Sequence, residues 1–141
     1  MIAITKIENP ESLAKAHEIR RIVFVIEQNC PPDIEYEFEE ESVHFLATVN
    51  GEPAGTARWR ETQNGIKLER FAVLTQYRGV GVGDALVKAV LHDCPHDGRT
   101  IYLHAQLSAR GLYAKNGFNP IGEHFWEADI EHVKMVWGGK E

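Results

Sequence analysis

Residues 68–84, L-E-R-F-A-V-L-T-Q-Y-R-G-V-G-V-G-D, admit few folds, because they read as strand, tight turn, glycine loop and helix start. Residues 66–73 alternate at the strand period, which predicts Glu69, Phe71 and Val73 on one face and Leu68, Arg70 and Ala72 on the other. Gly79, Gly81 and Gly83 then remove the side chain at every second position, with Val80 and Val82 between them. Bare N–H groups can approach an anion there, at the point where a helix N-terminus adds its positive dipole. Arg78 brings a fixed positive charge, and Val82, Ala85, Leu86, Ala89 and Val90 fall on one apolar stripe that predicts the helix.

Two familiar phosphate loops do not fit. A P-loop ends in Gly-Lys-Ser/Thr, whereas Gly83 is followed by Asp84 and Ala85. The dinucleotide fingerprint G-x-G-x-x-G needs glycine at Asp84, and no acidic ribose ligand follows at a strand end.

The rest of the chain surrounds that stretch with short elements. Residues 1–7 alternate as a strand, and Asn9 and Pro10 give a helix cap and a proline at the first helical position, with the helix running to about residue 27. An acidic run at 33–41, after Pro31 and Pro32, reads as a solvated face or as the lip of a pocket. Residues 44–49 and 54–60 read as strands joined around Asn50 and Gly51, and Asn64 and Gly65 turn the chain into the strand before the glycine loop. After the helix, 95–98 break the chain. Residues 101–106 form a strand with Tyr102, His104 and Gln106 on one face, Ser108 is expected to cap a short helix carrying Tyr113, and 118–127 and 131–137 are the last two strands.

A length of 141 residues suits one domain over 1–141. With no apolar run near the roughly 20 residues needed to span a bilayer and no secretory N-terminal pattern, no membrane partner and a cytoplasmic location are expected. The net charge of -6 argues against nucleic acid as a partner and favours a cationic or amine substrate. Cys30 and Cys94 lack zinc-type spacing, so free thiols and no metal are expected.

The pattern R-x-x-G-x-G at Arg78, Gly81 and Gly83, together with L-Y-A-K-N-G-F at 112–118, resembles the GCN5-related N-acetyltransferase (GNAT) superfamily. The resemblance extends to its ElaA/YjcF-like branch through Arg21, 23–25, 27–29, Glu41, Ser42, His44, 58–60, 67–70, Ala105, Gln106, Tyr113, Gly117 and His132. It implies the GNAT fold, an α/β (α+β mixed) architecture with a mostly antiparallel mixed sheet of about seven strands flanked by about four helices. It also implies acetyl-CoA as acetyl donor and a primary amine as acceptor.

On that resemblance, backbone N–H groups from Arg78 through Asp84 wrap the pyrophosphate, Phe71, Ala72 and Val73 present main chain to the pantetheine arm, and Gln106 touches the cofactor. A bulged strand here would aim an N–H at the thioester oxygen. Tyr113 is the expected general acid, since a phenol is protonated at pH 7 and matched to a departing thiolate. Glu69 is the expected base, directly or through water, with a salt bridge to Lys67 or Arg70 as the competing reading; His104 and His132 are alternative bases. Arg58, Arg60 and Arg70 are candidates to hold an anionic substrate group, or to pair with carboxylates across strands, and His132 is a further candidate for substrate binding. A small amine such as an amino sugar or polyamine is the leading acceptor. A protein acceptor and a non-catalytic acyl-CoA sensor are the alternatives, and a homodimer pairing through Val136 and Trp137 is expected.

Overall fold

The computed structural model describes residues 1–30 and 37–139. The chain runs β1 (Ile2–Lys6), α1 (Pro10–Arg20), a π-helical continuation (Arg21–Glu27), β2 (Ser42–Val49), β3 (Glu52–Thr62) and β4 (Gly65–Val73). It continues with α2 (Val82–Asp93), β5 (Ile101–Gln106), α3 (Arg110–Ala114), β6 (Phe118–Glu127) and β7 (Ile130–Trp137). The seven strands form one sheet in the order β1-β2-β3-β4-β5-β7-β6, antiparallel except for β4 beside β5. Three α-helices are present among the described residues, the first lengthened by its π-helical turn, in place of about four.

Local chemistry accounts for most boundaries. Asn9 caps α1 by accepting from the Ser12 N–H at 2.8 Å, ahead of Pro10 at the first helical position. Asn50 and Gly51, with φ of 51° and 86°, turn β2 into β3. Ala128 and Asp129, with φ of 49° and 63°, make a comparable turn from β6 into β7 without glycine. Ser108 does not cap α3: it sits in a 3₁₀ turn, and the cap position is Ala109, whose side chain has no oxygen to offer.

Helices cover both faces of the sheet. On one, Leu86, Val87 and Val90 of α2 pack with Phe45, Ala57, Leu68 and Leu103. On the other, Ile19, Val23 and Phe24 of α1 and its continuation pack with Leu46 and Ala72. Burial of Val87 widens the stripe expected for α2. Helix α2 lies so close to β3 that a Cβ on Gly55 would come within 3.1 Å of both Leu86 Cδ1 and Val82 Cγ1. Cys30 and Cys94 are both buried and form no disulfide.

Two expectations are corrected by pairing. Arg58 opposes Glu69 and Thr56 opposes Ala72, so one residue of β3 faces both Arg70 and Phe71, a β-bulge in β4 with Arg70 at φ 58°. The extra residue shifts the alternation: Phe71 and Val73 pack with the α2-side core, while Glu69 meets Arg58 on the α1 side, so Glu69 does not share a face with Phe71 and Val73. Val136 and Trp137 offer no free strand edge to a second copy, because β7 is paired with β5 on one side and β6 on the other. Of the acidic run, 33–36 lie outside the described residues; Glu39 is no solvated residue but a half-buried ion-pair partner.

Candidate active site

The parallel ladder between β4 and β5 covers only Ile66 with Ile101, Lys67 with Tyr102, and Leu68 with Leu103. Past it comes the bulge, and two cavities open where the ladder stops. The larger, about 620 Å³, lies against the glycine loop and the start of α2; the other, about 410 Å³, lies between the bulge, β5 and β7. Gln28, Phe71, Gln106, Ala109 and Tyr113 line both, so they form the wall where the cavities meet.

The larger cavity has the features of an anion cradle. Gly81, at φ 98°, is the cap residue of α2 and carries no capping side chain, and the first intrahelical bond is Ala85 N–H to the Gly81 carbonyl. The N–H groups of Val82, Gly83 and Asp84 therefore have no helical partner, and these three residues line the cavity beside Gly79. Val80 is 60% exposed and is not part of the lining. The Asp84 carboxylate, which would repel an anion, is engaged by Lys88 at 2.5 Å and Asn116 at 3.0 Å. Arg78 is not free: its Nε donates to the Val73 carbonyl and its two terminal nitrogens grip Glu27, each at 2.8 Å. Phe71, Ala72 and Val73 contribute the adjoining strand edge. These residues fit a diphosphate-bearing thioester: unpaired N–H groups, bare glycine backbone and a cation at the rim.

Tyr113 sits at the junction, packed edge-on against Phe71 with ring centroids 5.5 Å apart and against Phe118 at 6.3 Å. Burial pushes its phenol well above the usual tyrosine range, so it stays protonated. Gln106 donates to Gln28 at 3.0 Å, a bridge from β5 to the end of the π-helical turn.

The smaller cavity is rich in charge. Glu69 accepts from Arg58 Nε at 2.7 Å and Arg60 Nε at 2.8 Å, with Lys67 Nζ at 3.4 Å. Burial would raise its pKa, yet these cations, Arg58 foremost, hold it at about 2. Of the two readings for Glu69, the ion pair is present, made chiefly with the arginines of β3. Arg58, 1% exposed, also donates to Glu39, which is gripped by Arg20 at 3.0 and 2.8 Å and likewise held at about 2 against the raising effect of its burial. Arg60 lies 3.9 Å from the centre of the Phe38 ring and Arg70 5.4 Å from that of Phe24. All three arginines line the cavity, Arg58 as a buried pairing residue at its edge.

On the opposite wall, His104 Nδ1 meets Glu127 Oε2 at 3.1 Å and His132 Nδ1 meets the Ile130 carbonyl at 2.6 Å. The hydrogen bond from His104 holds the Glu127 carboxyl below its usual range. The sequence reading made Lys67 a partner of Glu69, which it is, but assigned no role to Gln28, Glu39 or Glu127. Of those three only Gln28 stood in a singled-out pattern, since Glu39 and Glu127 gain meaning from partners remote in the chain. Among the described residues, no group of three or more His, Cys, Asp or Glu side chains is arranged to hold a metal ion, and no helix is long and apolar enough to cross a membrane.

Comparison with known proteins agrees with this geometry. Residues 14–138 match the family model described as acetyltransferase (GNAT) domain. The chain is 37% identical over 132 residues to the uncharacterized N-acetyltransferase YjcF of Bacillus subtilis, covering 92% of this chain and 94% of the relative. It is 32% identical over 126 residues to protein ElaA of Escherichia coli, covering 84% and 82%. Among solved structures, E. coli ElaA superposes with a TM-score of 0.82 at 26% identity over 97% of this chain and 99% of that one. An acyl-CoA N-acyltransferase from Pseudomonas aeruginosa gives 0.85 at 23% identity over 98% and 100%, a likeness of fold. The match across nearly the whole chain, on the fold and cavities described, shows that the protein is an acyltransferase belonging to the GNAT family, in its ElaA/YjcF-like branch.

Proposed function

We propose that the protein acetylates the primary amine of a small molecule by direct attack, with donor and acceptor bound together. The observation that carries this reading is the shared wall of Phe71, Gln106 and Tyr113 between a cavity suited to a diphosphate and a cavity suited to an amine. Acetyl-CoA supplies the activated thioester. The N–H groups of Val82, Gly83 and Asp84 hold the diphosphate, assisted by Arg78. The backbone from Phe71 to Val73 holds the arm, and an N–H freed by the bulge polarises the carbonyl. The new N–C bond forms as the C–S bond breaks, and the Tyr113 hydroxyl protonates the departing sulfur. The phenol is restored from solvent. In sum, an ammonium and a thioester yield an amide, a thiol and one proton.

Glu69 contributes by holding Arg58 and Arg60 in place; a carboxyl near 2 is a weak base at neutral pH. A cavity of about 410 Å³ bordered by Arg58 and Arg60 supports a small acceptor over a peptide. Arg60, Lys67 and Arg70 on its wall favour an amine carrying hydroxyl or anionic groups, such as an amino sugar, over a polyamine.

Thiol release from acetyl-CoA across an amine panel tests the reading, run beside Tyr113→Phe and calorimetric titration of acetyl-CoA. The expected result is turnover of a small amine that Tyr113→Phe lowers about 10²-fold with unchanged acetyl-CoA affinity. Binding without turnover of any amine would point to a sensor or a protein acceptor. Failure to bind acetyl-CoA would overturn the assignment of residues 78–84.

A further inference from the structure

The attacking amine reaches the enzyme mostly as an ammonium ion and must lose a proton before it can attack. Glu69, surrounded by Arg58, Arg60 and Lys67, is poorly placed to take it. The opposite wall of the cavity holds a better-suited group. His132 on β7 is the register partner of Gln106, which lines both cavities, so its imidazole lies beside the junction where amine and donor meet.

The tautomer of His132 follows from its partner. A carbonyl oxygen only accepts, so Nδ1, 2.6 Å from the Ile130 oxygen, carries the hydrogen, and the neutral ring keeps its lone pair on Nε2. Nε2 lies 3.8 Å from Glu127 Oε1, too far for a hydrogen bond but close enough for the carboxylate to stabilise a positive ring. The other carboxylate oxygen accepts from His104 Nδ1 at 3.1 Å, which anchors Glu127 in that orientation. Phe125 stacks on His132, with centroids 5.9 Å apart and planes at 23°, and meets His104 edge-on at 4.9 Å. Both rings are therefore held.

We propose that Nε2 of His132 takes the proton of the acceptor ammonium, with Glu127 and His104 as positioning residues that keep a carboxylate facing it. This rests on the acetyl-transfer reading above. The step balances: R–NH3⁺ and neutral His132 become R–NH2 and an imidazolium, which returns its proton to solvent after each turnover. A fixed tautomer and a facing carboxylate are the features that make an imidazole an efficient base. Other charges bear on the cluster. Lys134 of β7 is the register partner of His104 and lies 4.9 Å from the centre of the Tyr102 ring. Lys67 of β4 acts on Glu127, and Glu131 is engaged by His124 at 3.1 Å.

The test is the pH dependence of kcat/KM for the best amine with wild type, His132→Gln and Glu127→Gln, with acetyl-CoA affinity as control for folding. His132→Gln is expected to lose about 10²-fold or more at pH 7 with its acidic limb displaced upward toward the ionisation of the free amine. Glu127→Gln is expected to lose about 10-fold and to move the limb, while acetyl-CoA affinity is unchanged in both. Added imidazole is expected to restore part of the rate of His132→Gly. Long-range proton–nitrogen NMR of the free wild type is expected to show His132 as the Nδ1–H tautomer. Wild-type turnover with a His132→Gln variant that keeps rate and limb would overturn the proposal and leave acetyl transfer standing. The opposite tautomer would overturn it whether or not an acceptor is in hand, and a wild type that acetylates no amine of the panel would sink the small-amine reading above.

Discussion

Arg58 and Glu69 are register partners across β3 and β4, and Glu69 Oε2 accepts from Arg58 Nε at 2.7 Å on the face covered by α1. The arginine is 1% exposed, so its charge is tolerated only because Glu69 and Glu39 both meet it. Glu69→Ala leaves Arg58 facing the Glu39 carboxylate, already shared with Arg20. This variant is expected to lose about 3–5 kcal/mol of stability, read from urea unfolding at neutral pH. A loss below about 1 kcal/mol would mean that the arginine relaxes toward water and that the pair does little for the fold.

Acid should act on the same cluster. Glu39 and Glu69 are each held at about 2 in the folded chain against an ordinary value of 4.5. A depressed carboxyl contributes stability that is fully present above the unfolded value and is lost as pH falls through the folded one. The urea midpoint is therefore expected to fall between about pH 4.5 and about pH 2, and this part of the fall should be smaller in Glu69→Gln. A midpoint that is level through that window would show that the two carboxylates do not carry the linkage.

Arg78 is expected to change partners when acetyl-CoA binds. Its grip on Glu27 is bidentate but about 40% exposed on both sides, so the pair holds the arginine at the cleft rim and adds little to stability. Arg78→Gln should weaken acetyl-CoA about 10-fold, the worth of one charge-assisted contact, with a shallower dependence on salt. Glu27→Gln should strengthen it a few-fold by releasing the guanidinium. Equal affinities for all three proteins by calorimetry would exclude Arg78 from the donor site.

The strands were legible chiefly from the turns that bound them, at Asn50 with Gly51 and Asn64 with Gly65, because β2 and β3 are buried on both faces through their middles. The glycine loop was legible because bare backbone before a helix has few other uses. The bulge was not. Glu69, Arg70, Phe71 and Ala72 contain no glycine, and Arg70 adopts φ 58° only in the finished sheet, so the one-residue shift that parts Glu69 from Phe71 leaves no local trace. Glu39 was hidden among similar acidic neighbours; its partners Arg20 and Arg58 lie 19 residues away on either side. Tyr113 and Gln106 could be nominated from the family pattern, whereas the pairing of Glu127 with His104 spans 23 residues and depends on β7 entering between β5 and β6.

Gly81 makes the last prediction, because two properties of the site meet in it. At φ 98° it caps α2, and an added Cβ would lie 3.8 Å from Ile2 Cδ1, an ordinary contact, so nothing in the surroundings obstructs a methyl group. The whole penalty of Gly81→Ala is therefore backbone strain, about 1–2 kcal/mol for an L-residue held in the left-handed region. Relief of that strain would rotate the peptide units that aim the Val82, Gly83 and Asp84 N–H groups into the cleft. Gly81→Ala is thus expected to lose stability in urea and acetyl-CoA affinity by calorimetry together. A variant that loses stability but binds acetyl-CoA as wild type does would show that the cap shapes the helix start without shaping the anion cradle.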